Sequence, residues 1–145
     1  MIYTPMTRKA IQVAYRAHEG QQDETGVPYI FHPYHVAEQM KDEITTCVAL
    51  LHDVLEDTQV TREELEKDFP AEVMEPLLLL RHDKSEDYLD YIRRLMQHPV
   101  ARAVKIADIA HNSDETRLTG VNIARERLEH WRRKYAEAKA VLGIS

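Results

Sequence analysis

The chain of 145 residues is short of several things that would widen its possible structures and partners. It has one cysteine, Cys47, so no internal disulfide can form; at this length roughly two-thirds of the unfolded chain's surface can be buried without one. It has four glycines, and none lies between Gly26 and Gly120. A β-rich chain needs the tight turns that glycine supplies, so this gap argues against strands and for helices. No apolar run approaches the roughly 20 residues that span a bilayer, and residues 1–10 lack the charged flank and apolar centre of a signal peptide. The expectation is a cytoplasmic chain with no membrane partner. Basic charge is also scarce, with 19 Lys and Arg against 25 Asp and Glu and a net charge of −6. Nucleic-acid polymers are held mainly by clustered cations on phosphates, so none is expected as a partner. A polyanionic small molecule would need local help, such as a metal.

What is present reads as one all-α domain over residues 1–145, with about eight helices. Thr4-Pro5, His32-Pro33 and His98-Pro99 each place a proline at a first helical position, and Pro76 is expected to kink or restart a helix over residues 70–80. Ala10, Ile11, Ala14, Tyr15 and Ala17 recur at helical spacing, as do Ile44, Cys47, Val48, Leu51 and Leu55. Thr61 and Glu64 fit a capping box, and Ser85 before Glu86 and Asp87 fits a helix start. Ala124, Leu128, Trp131, Tyr135, Ala138 and Leu142 form a predicted core stripe closed by Gly143. Two loops remain, at residues 19–32 and 112–122.

The densest polar cluster is His52-Asp53-Val54-Leu55-Glu56-Asp57, directly after the apolar run Cys47-Val48-Ala49-Leu50-Leu51. On a continuous helix His52 and Glu56 are one turn apart, as are Asp53 and Asp57. Burying such groups is costly unless they are paired or bind a metal, and an imidazole beside carboxylates suits a divalent transition ion; the plainer reading is a solvated helix end. Two further coincidences support the metal. His32 ends the apolar turn Tyr29-Ile30-Phe31, and Asp108 lies inside the apolar run from Val104 to Ile109, with Asn112 one turn later. Lys105, one turn before Asp108, either touches a phosphate or pairs with that carboxylate. Arg127 and Trp131 could face a base, with solvent and core as the plainer readings; His35 is read as surface or half-buried, and Cys47 as core.

The ordered set His32, His52-Asp53 and Asp108 resembles the H…HD…D signature of HD-domain phosphohydrolases. The phrases His18-Glu19-Gly20-Gln21, Gly26-Val27-Pro28-Tyr29-Ile30-Phe31-His32-Pro33, Ala49-Leu50-Leu51-His52-Asp53-Val54-Leu55-Glu56-Asp57-Thr58, Val104-Lys105-Ile106-Ala107-Asp108 and His111-Asn112 are similar to the hydrolase domain of RelA/SpoT-type alarmone enzymes. The resemblance implies an all-helical HD bundle, one divalent ion, most commonly Mn2+, and removal of the 3′-pyrophosphate from guanosine tetra- or pentaphosphate (ppGpp and its relative). It implies His32, His52, Asp53 and Asp108 as metal ligands, Glu56 and Asp57 as the groups that orient or deprotonate the attacking water, and Asn112 as a nucleotide contact. Lys105 is the added phosphate candidate. The chain departs from the family at Gln22-Asp23-Glu24, where basic residues are usual, at Ile109 after Asp108, and at Ser113-Asp114-Glu115. These departures point to two alternatives: an HD phosphohydrolase for a less charged nucleotide or phosphoester, and a nucleotide-sensing or partner-binding module with little turnover.

Overall fold

In the computed structural model, which describes residues 1–145, helices account for all the regular structure apart from one isolated bridge between Gln22 and Pro28. In chain order they are α1 (Pro5–Ala17), α2 (Phe31–Glu38), α3 (Glu43–Leu51), α4 (Val54–Asp57), α5 (Arg62–Glu66), α6 (Ala71–Leu80), α7 (Tyr88–Leu95), α8 (Pro99–Asn112), a short 3-10 turn (Glu115–Leu118) and α9 (Arg125–Leu142). None is long and apolar enough to cross a membrane.

Every residue of α3 from Thr45 to Leu51 is buried, so this helix needs neighbours on all sides. It has them in α1, α2, α6 and α8. Burying a leucine such as Leu50 contributes about 1.5–3 kcal/mol, and the end of this central helix is therefore held firmly in place. The expected continuous helix through residue 57 breaks there, which adds one helix to the expected number. His52 Nδ1 lies 2.6 Å from the Ala49 carbonyl and donates to it, taking the acceptor that the Asp53 amide would use in a continuing helix. Regular bonding resumes where the Asp57 amide donates to the Asp53 carbonyl at 2.9 Å. The break leaves His52 buried while Glu56 and Asp57 reach the surface.

Local signals fix most helix starts. Thr4 and Thr7 form a reciprocal cap on α1, Thr61 and Glu64 do the same on α5, and Asp42 accepts from the Thr45 amide at 2.8 Å to cap α3. His98 caps α8 through Nδ1, which accepts from the Val100 amide at 3.2 Å. Gly143, in the left-handed region at φ 73°, closes α9.

Five expectations need correction. Helix α2 begins at Phe31, so Pro33 sits inside its first turn. Asp87, and not Ser85, caps α7; Ser85 instead bonds to Asp83. Helix α6 runs unbroken through Pro76, because proline removes a single helical bond and the buried Val73, Met74, Leu77 and Leu80 hold the turn. In the predicted α9 stripe only Ala138 and Leu142 are buried; Leu128, Trp131 and Tyr135 are half-buried and line cavities, and Ala124 precedes the helix, exposed. Tyr15, grouped with the apolar face of α1, is exposed.

Candidate active site

Helix α2, the α3–α4 junction and α8 converge on one point. They bring together His32, then His52 and Asp53, then Asp108, the four residues singled out as ligands. One ligand atom each from His32, His52 and Asp53 lie within 4.8 Å of one another. Asp108 Oδ1 stands 2.8 Å from His32 Nε2 and 3.3 Å from His52 Nε2. Asp53 Oδ2 stands 3.0 Å from His52 Nε2 and 3.8 Å from His32 Nε2. His32, His52 and Asp108 are buried, and Asp53 is partly so.

The far side of each imidazole is occupied. His52 Nδ1 donates to the Ala49 carbonyl, which turns Nε2 into the cluster. That Nε2 is buried without a hydrogen-bond partner, because the nearby carboxylate oxygens lie outside hydrogen-bonding geometry. His32 Nδ1 lies 2.7 Å from His111 Nδ1. Burial, together with the nearby Arg117 guanidinium, holds the His111 pKa down at about 4, so His111 is neutral near pH 7 and one proton is shared between the two Nδ1 atoms. Nε2 of His32 is thereby turned on Asp108. An orphaned buried imidazole nitrogen, a second imidazole and two carboxylates fit a divalent transition ion.

Outer contacts orient the carboxylates. The Tyr29 hydroxyl donates to Asp53 Oδ2, Asn112 Nδ2 to Asp108 Oδ1 at 3.0 Å, and Lys105 Nζ to Asp108 Oδ2 at 3.0 Å. Lys105 is thus engaged with Asp108, its ammonium packed over the Tyr91 ring at 5.2 Å. Burial works to raise the Asp53 pKa, but the His52 charge 3.0 Å away outweighs it and holds the carboxyl at about 2. Burial would likewise lower the His52 pKa, and the Asp53 and Asp108 carboxylates reverse this. A proton on His52 and a bound cation answer the same negative field.

A cavity of about 190 Å³ opens beside the cluster, with Glu56, Asp57, Tyr88, Lys134 and Tyr135 in its wall. Glu56 Oε1 accepts from the His82 amide at 2.7 Å. Asp57 is exposed as a residue, but in the cavity wall its carboxyl is partly desolvated, and this, then the Asp53 and Glu56 charges, pushes it up to about 6. Its carbonyl is tied to the loop before α2 by Gln21 Nε2 at 2.8 Å, and Gln21 is held in turn by the buried His18. Asn112 and Tyr135 are shared with a second cavity of about 270 Å³, lined also by Asp23, Arg117 and Trp131.

The acidic residues around that second cavity are not free charges. Asp23 pairs with Arg117 at 3.1 Å, Glu24 with Arg127 at 2.6 Å and Glu115 with Arg132 at 2.7 Å, while Asp114 accepts from the Thr116 amide at 3.0 Å. Trp131 lies in the cavity wall and not in the core, with the Arg127 guanidinium 4.9 Å from its ring. His35, exposed, stacks on His111 at 4.2 Å. Cys47 is buried, and burial pushes its thiol up to about 12. His111 is brought near the site in the sequence reading by the family resemblance alone, and Tyr29 is given no role of its own; their contacts span residues 79 and 24 apart in the chain, which periodicity cannot report.

Residues 10–78 match the family model described as HD domain. Over 120 residues the chain is 37% identical to the bifunctional (p)ppGpp synthase/hydrolase SpoT of Escherichia coli (strain K12), covering 72% of this chain and 17% of that protein. It is 46% identical over 70 residues to the guanosine-3′,5′-bis(diphosphate) 3′-pyrophosphohydrolase of Borreliella burgdorferi, covering 46% of this chain and 10% of the relative. The chain therefore spans under a fifth of the length of these curated relatives. A solved structure of a metazoan ortholog of SpoT, described as hydrolysing ppGpp and playing a role in starvation responses, shares the fold with a TM-score of 0.83 at 24% identity, over 98% of this chain and 88% of that one. Residues 10–78 thus carry the HD-domain match, and the chain is similar to the SpoT type in sequence and shares its fold.

Proposed function

We propose that the chain is a metal-dependent phosphohydrolase that removes the 3′-pyrophosphate from guanosine-3′,5′-bis(diphosphate) in the cytoplasm, with Mn2+ as its ion. The observation that carries this reading is the inward-facing donor set of His32, His52, Asp53 and Asp108 with Glu56 and Asp57 beside it on a cavity wall. The SpoT-type relatives add the nucleotide, since their names give its hydrolysis.

In this reading His32, His52, Asp53 and Asp108 hold the ion. When bound, a divalent ion neutralises phosphate oxygens and makes water easier to deprotonate. The chain's own groups do the rest. Glu56 is fixed through Oε1 by the His82 amide, and its other oxygen orients the attacking water. Asp57, with a carboxyl near 6, has the proton affinity of a general base working near neutral pH. Asn112 and Tyr29 keep the ligand carboxylates aimed, and the exposed face of Asn112 meets the nucleotide. One water is consumed, the bond to the 3′ oxygen breaks, and the products are GDP and pyrophosphate. Glu56 and Asp57 also favour turnover over a sensing role, because a site that only binds has no use for groups that activate water.

The test is direct. Protein stripped with EDTA and reloaded with Mn2+ is incubated with guanosine tetraphosphate, and GDP and pyrophosphate are measured. Both products are expected only with the ion. His52→Ala and Asp53→Ala are expected to lose the ion and turnover together, and Glu56→Gln to keep the ion while slowing turnover by about 10²- to 10⁴-fold. Turnover by metal-free protein, or binding without turnover by the Mn2+-loaded protein, overturns the reading.

A further inference from the structure

A polyphosphate entering this cavity passes carboxylates, so it needs a cation that no carboxylate has already claimed. Most nearby cations fail that requirement. Arg117 is paired with Asp23, Arg127 with Glu24, Arg132 with Glu115 and Lys105 with Asp108. Lys134 meets it. This α9 side chain lines the cavity that contains Asp53, Glu56, Asp57 and Asp108. No carboxylate lies within ion-pair distance of its ammonium, which is held over the Tyr88 ring at 4.6 Å and the Tyr135 ring at 5.6 Å. Aromatic faces fix an ammonium in place without neutralising it.

We propose that Lys134 is the phosphate-binding cation of this site, and that its ammonium donates to the polyphosphate oxygens of the substrate from the α9 side of the cavity. The assignment rests on the proposed function for the identity of that substrate. Half-buried, Lys134 has its pKa lowered by desolvation and then by the neighbouring Lys105. An anion beside it relieves both effects, so the placement disfavours an empty site and favours one holding a polyanion. The Tyr88 ring is shared by both ammoniums, with Lys105 at 5.9 Å, so substrate oxygens reaching Lys134 also enter the field of Lys105. By sequence alone Lys134 belongs to the run Arg125 to Lys134, where basic residues alternate with Glu126 and Glu129 in the pattern of an exposed helix face.

The experiment compares Mn2+-loaded wild type, Lys134→Met and Lys134→Arg on guanosine tetraphosphate and on bis(p-nitrophenyl) phosphate, a singly charged diester. Lys134→Met keeps a side chain of similar length and removes the charge held over Tyr88. It is expected to raise KM for the tetraphosphate about 10- to 100-fold, the loss of one charge-assisted hydrogen bond, with kcat changed by less than about 2-fold. KM for the diester is expected to move little, Mn2+ affinity by calorimetry to stay the same, and Lys134→Arg to restore most of the tetraphosphate KM. An unchanged tetraphosphate KM in Lys134→Met, with wild type active, overturns the role of Lys134 and leaves the function standing. Should wild type not turn over the tetraphosphate, the function fails separately, and calorimetry of inorganic pyrophosphate binding to Mn2+-loaded wild type and Lys134→Met decides the matter. Weaker binding in the variant upholds Lys134, and equal binding overturns it. Melting curves of both variants separate misfolding from lost contact, since Lys134→Arg restores KM only if the charge is what matters.

Discussion

At the scale of single residues, the site is built by giving each reactive group a fixed partner on its far side. His52 has the Ala49 carbonyl, His32 has His111, Asp53 has Tyr29, and Glu56 has the His82 amide. The ligand candidates were legible in the sequence because an ionisable residue inside an apolar run stands out: His52-Asp53 after Leu51, and Asp108 among Val104, Ala107 and Ile109. The partners are not legible from spacing, because Tyr29, His111 and Lys134 reach the site from separate helices and loops; the family resemblance alone points to His111. Asp57 has the opposite situation, a carboxyl crowded by burial and by Asp53 and Glu56, and it gives a prediction about pH. Its folded pKa of about 6 lies above the ordinary aspartate value of 3.8, so the folded state binds more protons than the unfolded state between these values. Its contribution to stability is present below about 3.8 and is lost as pH rises through about 6. In EDTA, the melting temperature of Asp57→Asn relative to wild type is therefore expected to increase as pH rises from about 4 to 7. The gain is well under about 1 kcal/mol because Asp57 is exposed and solvent screens it. The same variant loses activity under the proposed mechanism, and a difference in melting temperature that shrank as pH rose would remove the charge crowding at Asp57.

At the scale of elements, the departures from expectation share a cause. Periodicity reports which face of a helix is apolar, and it does not report what covers that face. Ala138 and Leu142 lie in the core, while Leu128, Trp131 and Tyr135 carry the same stripe over cavities. The α3–α4 break is equally local in origin, since a side-chain bond from His52 competes with the helical ladder, and apolar spacing alone counts straight through it. The two loops were visible in the sequence, but their union was not. Asp23 Oδ1 accepts from the Thr25 and Val27 amides, closing the first loop, and Oδ2 takes the Arg117 guanidinium from the second. Arg117 also donates to the His111 carbonyl at 2.8 Å, so this pin continues to the residue that orients His32. Asp23→Ala removes the turn and the pin together. A loss of about 1–3 kcal/mol in urea unfolding is expected, from charge-assisted hydrogen bonds on a group with only 15% of its side chain exposed. A double-mutant cycle with Arg117→Ala isolates the pin, and a coupling indistinguishable from zero would show that the two loops are held together by something else.

At the scale of the whole molecule, the net charge of −6 divides into two populations. Asp23, Glu24 and Glu115 are matched by arginines, so their acidity does not repel a phosphorylated substrate as their bare sequence suggests. Asp53, Glu56, Asp57 and Asp108 gather on one cavity with only Lys105 paired among them, a concentration of negative charge that the folded state must hold together. Because α2, the α3–α4 junction and α8 meet in this cluster, a cation bound there bridges segments far apart in the chain, and its binding energy becomes folding energy. Mn2+ at about 100 times its dissociation constant is expected to stabilise the chain by about 2.7 kcal/mol, and at this size to raise the melting temperature by about 5–10 °C. EDTA should reverse the rise, and Asp53→Ala should abolish it. The rise should also shrink as pH falls. The carboxylates hold the His52 pKa well above 6.5 in the metal-free protein, so a proton already occupies the position the ion needs, and acid strengthens that competitor. A melting temperature that ignores Mn2+ and EDTA alike at neutral pH would mean that the cluster is a self-contained ion-pair network, and the proposed function would lose the observation on which it rests.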